Sequence, residues 1–217
     1  MSTHSFTPAP VKFKLGEYLN QGFELFKNHM STIILAFLAL IVMSIIPLCG
    51  IMALGNFIKL CRKLNRGENA SAGDIFDFSD FRHFLKLSLI VWGFSLLIQI
   101  PLTILTDANQ EPTPLFSLYI LAMYLVAIYF LIKGYYVVAL MELERHSLMD
   151  SWKLSKQMSK GNGLNIIGFA IIVSLISAAG FILFCIGIIL SIPLVYAIQY
   201  ASYEDGIQQT KTKATIF

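Results

Sequence analysis

The sequence predicts an all-α fold, a polytopic membrane helix bundle of about six transmembrane helices. Two hairpins flank a central pair, and two amphipathic helices lie at the membrane surface. Three observations predict it. Of 217 residues, 56% are hydrophobic and only 13% charged, against roughly 25% charged in an ordinary soluble domain, and mean hydropathy is +0.69. Four charge-free runs, residues 28–58, 87–106, 112–132 and 161–203, reach or exceed the about 20 residues that one helical crossing requires. Lys and Arg are confined to the joints between runs, and one joint carries none. Disorder is excluded by the 17 Phe, 9 Tyr and long Ile, Leu and Val runs. The net charge of +3, spread over several joints, gives no basic stripe for nucleic acid.

The elements follow in chain order. Residues 1–11, with two Pro, are expected to form a flexible tail. Leu15, Tyr18, Leu19, Phe23 and Phe26 then recur near helical spacing opposite Glu17, Asn20, Glu24 and Lys27, the pattern of an amphipathic helix in the headgroup layer. Those carboxylates, ahead of the first apolar run, also argue against a signal sequence. The first run is long for one helix and short for two. It is expected to be a hairpin bent at Pro47-Leu48-Cys49-Gly50, with Lys59 and Arg62 snorkelling at its end, or a re-entrant hairpin that stops short of the far side.

The joint at residues 60–84 offers Gly67 as a helix C-cap and Ser79 or Asp80 as an N-cap. Its alternating Phe and Asp residues suit a surface anchor with rings toward lipid and carboxylates toward water; an acidic partner-binding loop is the alternative. The two middle runs fit one helix each, and the joint between them, residues 107–114, contains Asp107 and Glu111 but no Lys or Arg. Basic residues favour the cytoplasmic side, so this joint faces outside and both termini face inside.

Before the last run, Ser147 can cap a helix with Asp150 three residues on, turning Leu148, Trp152 and Met158 toward lipid and Lys153, Lys156 and Lys160 toward water. The last run is long enough for two crossings, with a turn between Gly180 and Gly187. Residues 208–217 are expected as a flexible cytoplasmic tail, which leaves 12–207 as a single integral-membrane domain. Residues 15–37 laid over 148–170 bring amphipathic segment onto amphipathic segment and Lys27 onto Lys160, a weak parallel repeat.

Chemistry-bearing residues are sparse. Cys49, Cys61 and Cys185 sit in or beside apolar stretches and read as small core residues. His4, His29, His83 and His146 share no helical metal-site spacing, and no cofactor is implied. Glu142 and Glu144 point to different helix faces and read as interfacial carboxylates, not as a catalytic acid and base. Lys133, beside Gly134, Tyr135 and Tyr136, is expected to snorkel into the aromatic belt, with pairing to Glu142 or contact with a lipid phosphate as alternatives. Gln99 with Pro101, and Gln199 with Pro193, can either join helices or line a small polar cavity.

In this order the chain carries Gly22-Phe23-Glu24-Leu25-Phe26-Lys27, Ile46-Pro47 followed by Gly50, Arg66-Gly67-Glu68 with Gly73-Asp74-Ile75-Phe76, Ser151-Trp152-Lys153-Leu154-Ser155, and Tyr200-Ala201-Ser202-Tyr203-Glu204-Asp205. Over about residues 15–207 it resembles an uncharacterised family of six-span bacterial inner-membrane proteins. Some relatives are labelled glycerophosphoryl diester phosphodiesterase membrane domain. The resemblance implies the six-span fold and the inner membrane; it implies no reaction, ligand or catalytic residue.

The expected role is therefore non-enzymatic. It is membrane organisation or protein and lipid interaction, with anionic headgroups on Lys133, Lys153, Lys156 and Lys160 and a protein partner or second copy as further partners. A small transporter or lipid-handling protein, with a cavity lined by Gln99 and Gln199, is the alternative.

Overall fold

A computed structural model of the chain describes residues 10–107, 113–182 and 184–215, and these are helical with short joints and no strands. The elements are α1 (Leu15–Asn28), α2 (Met30–Ile45), α3 (Gly50–Asn65), a 3₁₀ turn (Ala72–Phe76), α4 (Phe81–Asp107), α5 (Pro114–Lys133), α6 (Val137–Leu143), α7 (Leu148–Met158), α8 (Gly163–Ile182) and α9 (Phe184–Thr215). The stretches 81–104, 114–143 and 163–180 are long and apolar enough to cross a membrane, and the α1–α2 pair, bent by 96°, would make a fourth. The expected tail over residues 1–9, most of the expected outer loop (108–112) and the centre of the last turn (Leu183) lie outside the described residues.

Sequence punctuation places the element ends. The first hairpin breaks at residues 46–49, where Leu48 adopts φ 67°, so the expected bend at Pro47 is present. Helix α3 closes with Gly67 at φ 70°, its N–H donating to Leu64 O and the Glu68 N–H to Lys63 O, which satisfies carbonyls that the helix end leaves open. Ser147 caps α7 as expected, its Oγ accepting from the Asp150 N–H. Asp80 directly precedes α4, but its carboxylate binds Arg145.

The core gathers around α3. Met43, Met52, Phe57, Leu60, Phe84, Tyr136, Leu140, Met141 and Met158 are all buried within one cluster. A second, smaller cluster joins Tyr18 to Phe169, Val173, Val195 and Ile198. Two expectations are corrected here. Met158 was expected to face lipid and is fully buried against protein. The α1 face bearing Tyr18, Leu25 and Phe26 is also covered by protein, with Gly22 set so close to α9 that a Cβ would fall on the Ile198 backbone. Phe23 lies off that face and is 51% exposed.

The C-terminal boundary also moves. Residues 208–215 continue α9 as helix, with Thr210 buried, in place of the expected flexible tail. Gln209 ties that segment to the N-terminal strand of chain, accepting from the Lys12 N–H at 2.8 Å and donating to Lys12 O at 2.9 Å.

The repeat pattern reappears in burial. At a shift of 133 residues, Tyr18, Gly22, Leu25, Phe26, Ile33, Ala36 and Leu40 fall on Ser151, Ser155, Met158, Ser159, Ile166, Phe169 and Val173, and all fourteen are buried. Met30, which starts α2, falls on Gly163, which starts α8. The buried face runs through the break at the same phase in both copies.

By contrast, α5 and the part of α4 beyond Ser88 stand away from the core. Only 6% of the apolar window in α4 and none of that in α5 is buried inside the protein. In water such surfaces would collapse or aggregate; in hydrocarbon they are at rest.

Candidate functional site

The polar residues converge at the end of the fold where α3, α6 and α9 meet. Helix α3 carries Lys59, Arg62 and Lys63 on one side by its i, i+3 and i+4 spacing, and each finds carboxylates on other elements. Lys59 Nζ lies 3.4 Å from Glu142 in α6, 3.8 Å from Asp77 and 3.9 Å from Asp80. The Arg62 guanidinium donates to Glu204 of α9 at 2.8 Å, to Glu144 at 3.3 Å and to Leu143 O at 3.1 Å. Lys63 holds Asp74 at 2.7 Å, Lys211 holds Glu144 at 2.6 Å, and Arg145, at φ 58°, reaches Asp80.

Both Lys59 and Arg62, expected to snorkel, end in ion pairs with other elements; Arg62 is largely covered, while Lys59 stays one-third exposed. Glu142 is no surface carboxylate, for its side chain is fully buried and its cation is Lys59, not Lys133. Unpaired, any of these charges would be costly at a membrane boundary; paired across four elements they fix how those elements meet.

The 3₁₀ segment docks on the same cluster. Asn56, itself buried, donates through Nδ2 to Ile75 O at 3.0 Å and to Asp77 O at 2.9 Å. Ile75 enters the core while Phe76 and Phe78 are 45% and 51% exposed. The rings point outward as a surface anchor requires, and Asp74 and Asp77, still 32% and 43% exposed, pair at the surface with Lys63 and Lys59. The Lys63 hydrogen bond holds the Asp74 carboxyl below its ordinary range, and the Ser79 backbone N–H does the same for Asp77.

The lysines singled out from sequence occupy one side of the bundle. Lys133 ends α5, with its carbonyl accepting from Ser155 Oγ at 2.6 Å, which ties α5 to α7. Lys153, Lys156 and Lys160 are exposed on or just after α7, opposite the buried Ser151, Ser155 and Met158. An apolar groove of about 450 Å³ runs between α5 and α8, lined by Ile128, Leu131, Ile167, Ile171, Ser174 and Leu175. A Cβ on Gly163 would lie 3.8 Å from Ile132, so the two helices come close at the start of α8, one residue before Lys133 and three after Lys160 in the chain.

Gln99 and Gln199 are not brought together. Gln99 is exposed on α4 and bonds Ser95 Oγ of its own helix at 2.6 Å; Gln199 is half-buried in α9, where its carbonyl accepts from Ser202. A polar cleft of about 290 Å³ does exist elsewhere, between α1, α3 and α9, lined by Gln21, Asn65, Tyr200, Glu204, Asp205 and Gln208.

Cys49 and Cys61 are buried and free, as expected of small core residues. Among the described residues, no group of three or more His, Cys, Asp or Glu is arranged to hold a metal ion.

Fold and site together define an all-helical protein with three or four helices suited to a bilayer and a buried ionic clamp at one end. No family model, no curated protein and no solved structure matches the chain.

Proposed function

We propose that the chain is a non-enzymatic integral protein of the bacterial inner membrane, akin to the six-span family it resembles, that organises lipid by holding an anionic phospholipid. An acyl chain lies in the α5–α8 groove, and its phosphate meets Lys133 and Lys160, with Lys153 and Lys156 adding attraction to the anionic leaflet. What supports this reading is the apolar groove between α5 and α8, together with the close approach of Gly163 to Ile132, which sets the chain neighbours Lys133 and Lys160 at the same ends of those two helices. Each Lys near an anionic surface contributes about 1 kcal/mol. Helices α1 and α7 lie at the interface, with their polar faces toward the cytoplasm.

In this reading every basic segment and both termini are cytoplasmic, and the joint between α4 and α5 is outside. The six-span count carries one amendment. Helices α2 and α3 have 16 residues each, a rise of about 24 Å against a hydrocarbon layer of about 30 Å, and Lys59 sits only nine residues from the start of α3. That pair enters and leaves from the cytoplasmic side as a re-entrant hairpin, while α4, α5, α8 and α9 cross. The transporter alternative has less behind it, since Gln99 is exposed on α4 and bonded to Ser95 of its own helix.

Mass spectrometry of the protein released intact from native membranes tests the lipid claim. One retained anionic phospholipid per chain is expected, lost in Lys133→Gln/Lys160→Gln with the fold preserved. Retention of zwitterionic lipid alone, or unchanged retention in the double variant, would overturn it.

A further inference from the structure

We infer that the chain pairs with a second copy of itself through the face of α4 that bears Ser95, Gln99 and Thr103. These residues recur at i, i+4 and i+8, so they form one stripe along the helix. The neighbouring helix α5 lies on a different side: Tyr119 donates to Leu97 O, and Phe130 packs on Phe94. At 100° per residue, Gln99 points about 160° away from Leu97, so the stripe faces away from α5.

What distinguishes this face from the rest of the exposed surface is the state of its amide. Gln99 donates one N–H to Ser95 Oγ at 2.6 Å, and Thr103 Oγ1 donates to the Gln99 backbone carbonyl at 2.9 Å. The second amide N–H and the side-chain carbonyl of Gln99 have no partner among the described residues, and the side chain is exposed. Near it on the same side of the helix stand Trp92 and Leu102, both about half exposed. Gln99 lies 12 residues from the start and 7 from the end of the charge-free run 87–106, about 18 Å and 10 Å by helical rise, which is within the hydrocarbon.

A primary amide in hydrocarbon needs both a donor and an acceptor, and lipid tails supply neither. Lipid therefore covers Leu or Ile on this helix without cost but not Gln99. A second copy fits, because an amide is complementary to itself. Across a two-fold axis, the free N–H of each Gln99 donates to the carbonyl of the other, and two bonds form at one crossing. Ser95 and Thr103 are small enough to let the two α4 backbones approach. The inference depends on α4 crossing the bilayer, and not on the lipid groove.

Single cysteines placed at 95, 103, 97 and 104, in full-length protein that keeps Gln99 and is oxidised within native membranes, test it. Cross-linked dimer is expected at 95 and 103 and not at 97 or 104, with the unsubstituted protein as the background for the native cysteines. In a separate arm, Gln99→Leu should weaken self-association in bilayers about tenfold, as measured by energy transfer on dilution with lipid, while Gln99→Asn retains most of it. Equal cross-linking around the helix, none at the stripe, or unchanged association in Gln99→Leu would each overturn the inference. The cross-linking arm does not depend on how Gln99→Leu folds.

Discussion

At Gly22 a single missing Cβ decides whether α1 can lie on α9. The backbone of Ile198 occupies the space a side chain would need, so Gly22→Ala forces the helices apart and is expected to cost about 1–3 kcal/mol, read as a lowered Tm in detergent. Gly16→Ala on the same helix meets nothing within 4 Å and should be neutral or stabilising, which separates packing from helix propensity. Equal Tm values for the two variants would contradict the close crossing. Arg62 is the second decisive residue. Its side chain is 12% exposed and holds Glu144 and Glu204, so Arg62→Leu takes the arginine from Glu204 and leaves Glu144 with Lys211. A loss of about 3–5 kcal/mol is expected, whereas Lys14→Gln, which breaks an exposed pair to Glu17, should leave the Tm nearly unchanged. Neither residue announced itself in the sequence. Gly22 sat on an expected apolar face with no sign of what lay across from it, and the carboxylates of Arg62 are 82 and 142 residues away, beyond any local pattern.

Among elements, the helices and their ends were the most legible, because periodicity, Ser147, Gly67 and Pro47 act locally. The direction of the amphipathic faces was not. An apolar stripe of residues such as Tyr18, Phe26 and Met158 is equally suited to lipid and to protein, and here protein takes it. The 3₁₀ segment offers an element-scale prediction. Asp74 and Asp77 have their carboxyls lowered in the folded protein, so the charged form is the one that docks. Their contribution is present above the ordinary carboxylate value near 3.8 and is lost as pH falls through the lowered values. Hydrogen exchange of residues 72–79, corrected for intrinsic rate, should therefore be flat from pH 7 to about 5 and rise only below about pH 4. A rise already at pH 6 would point to another group. For the α2–α3 pair, a cysteine at Leu48 should resist an impermeant thiol reagent applied from outside, since a re-entrant tip does not reach the far surface.

For the whole molecule, the division between a packed body and a projecting α4–α5 pair is what ties fold to solvent. The body is held by a filled core and an ionic clamp, whereas the apolar windows of the pair are left almost wholly uncovered by the protein. Composition made the solvent plain, since 13% charged residues cannot cover a soluble surface of this size. The lysines at 133, 153, 156 and 160 were visible as residues, but the groove between α5 and α8 depends on how α8 returns beside α5, which only the tertiary structure supplies. The account rests most heavily on sidedness, with the clamp and α7 in the cytoplasm and the α4–α5 joint across the membrane. Labelling of intact cells with an impermeant thiol reagent measures this directly. The account predicts modification of Thr113→Cys in intact cells and of Ala70→Cys and Lys156→Cys only after permeabilisation. Modification at 70 or 156 from outside, or protection of 113, would contradict it.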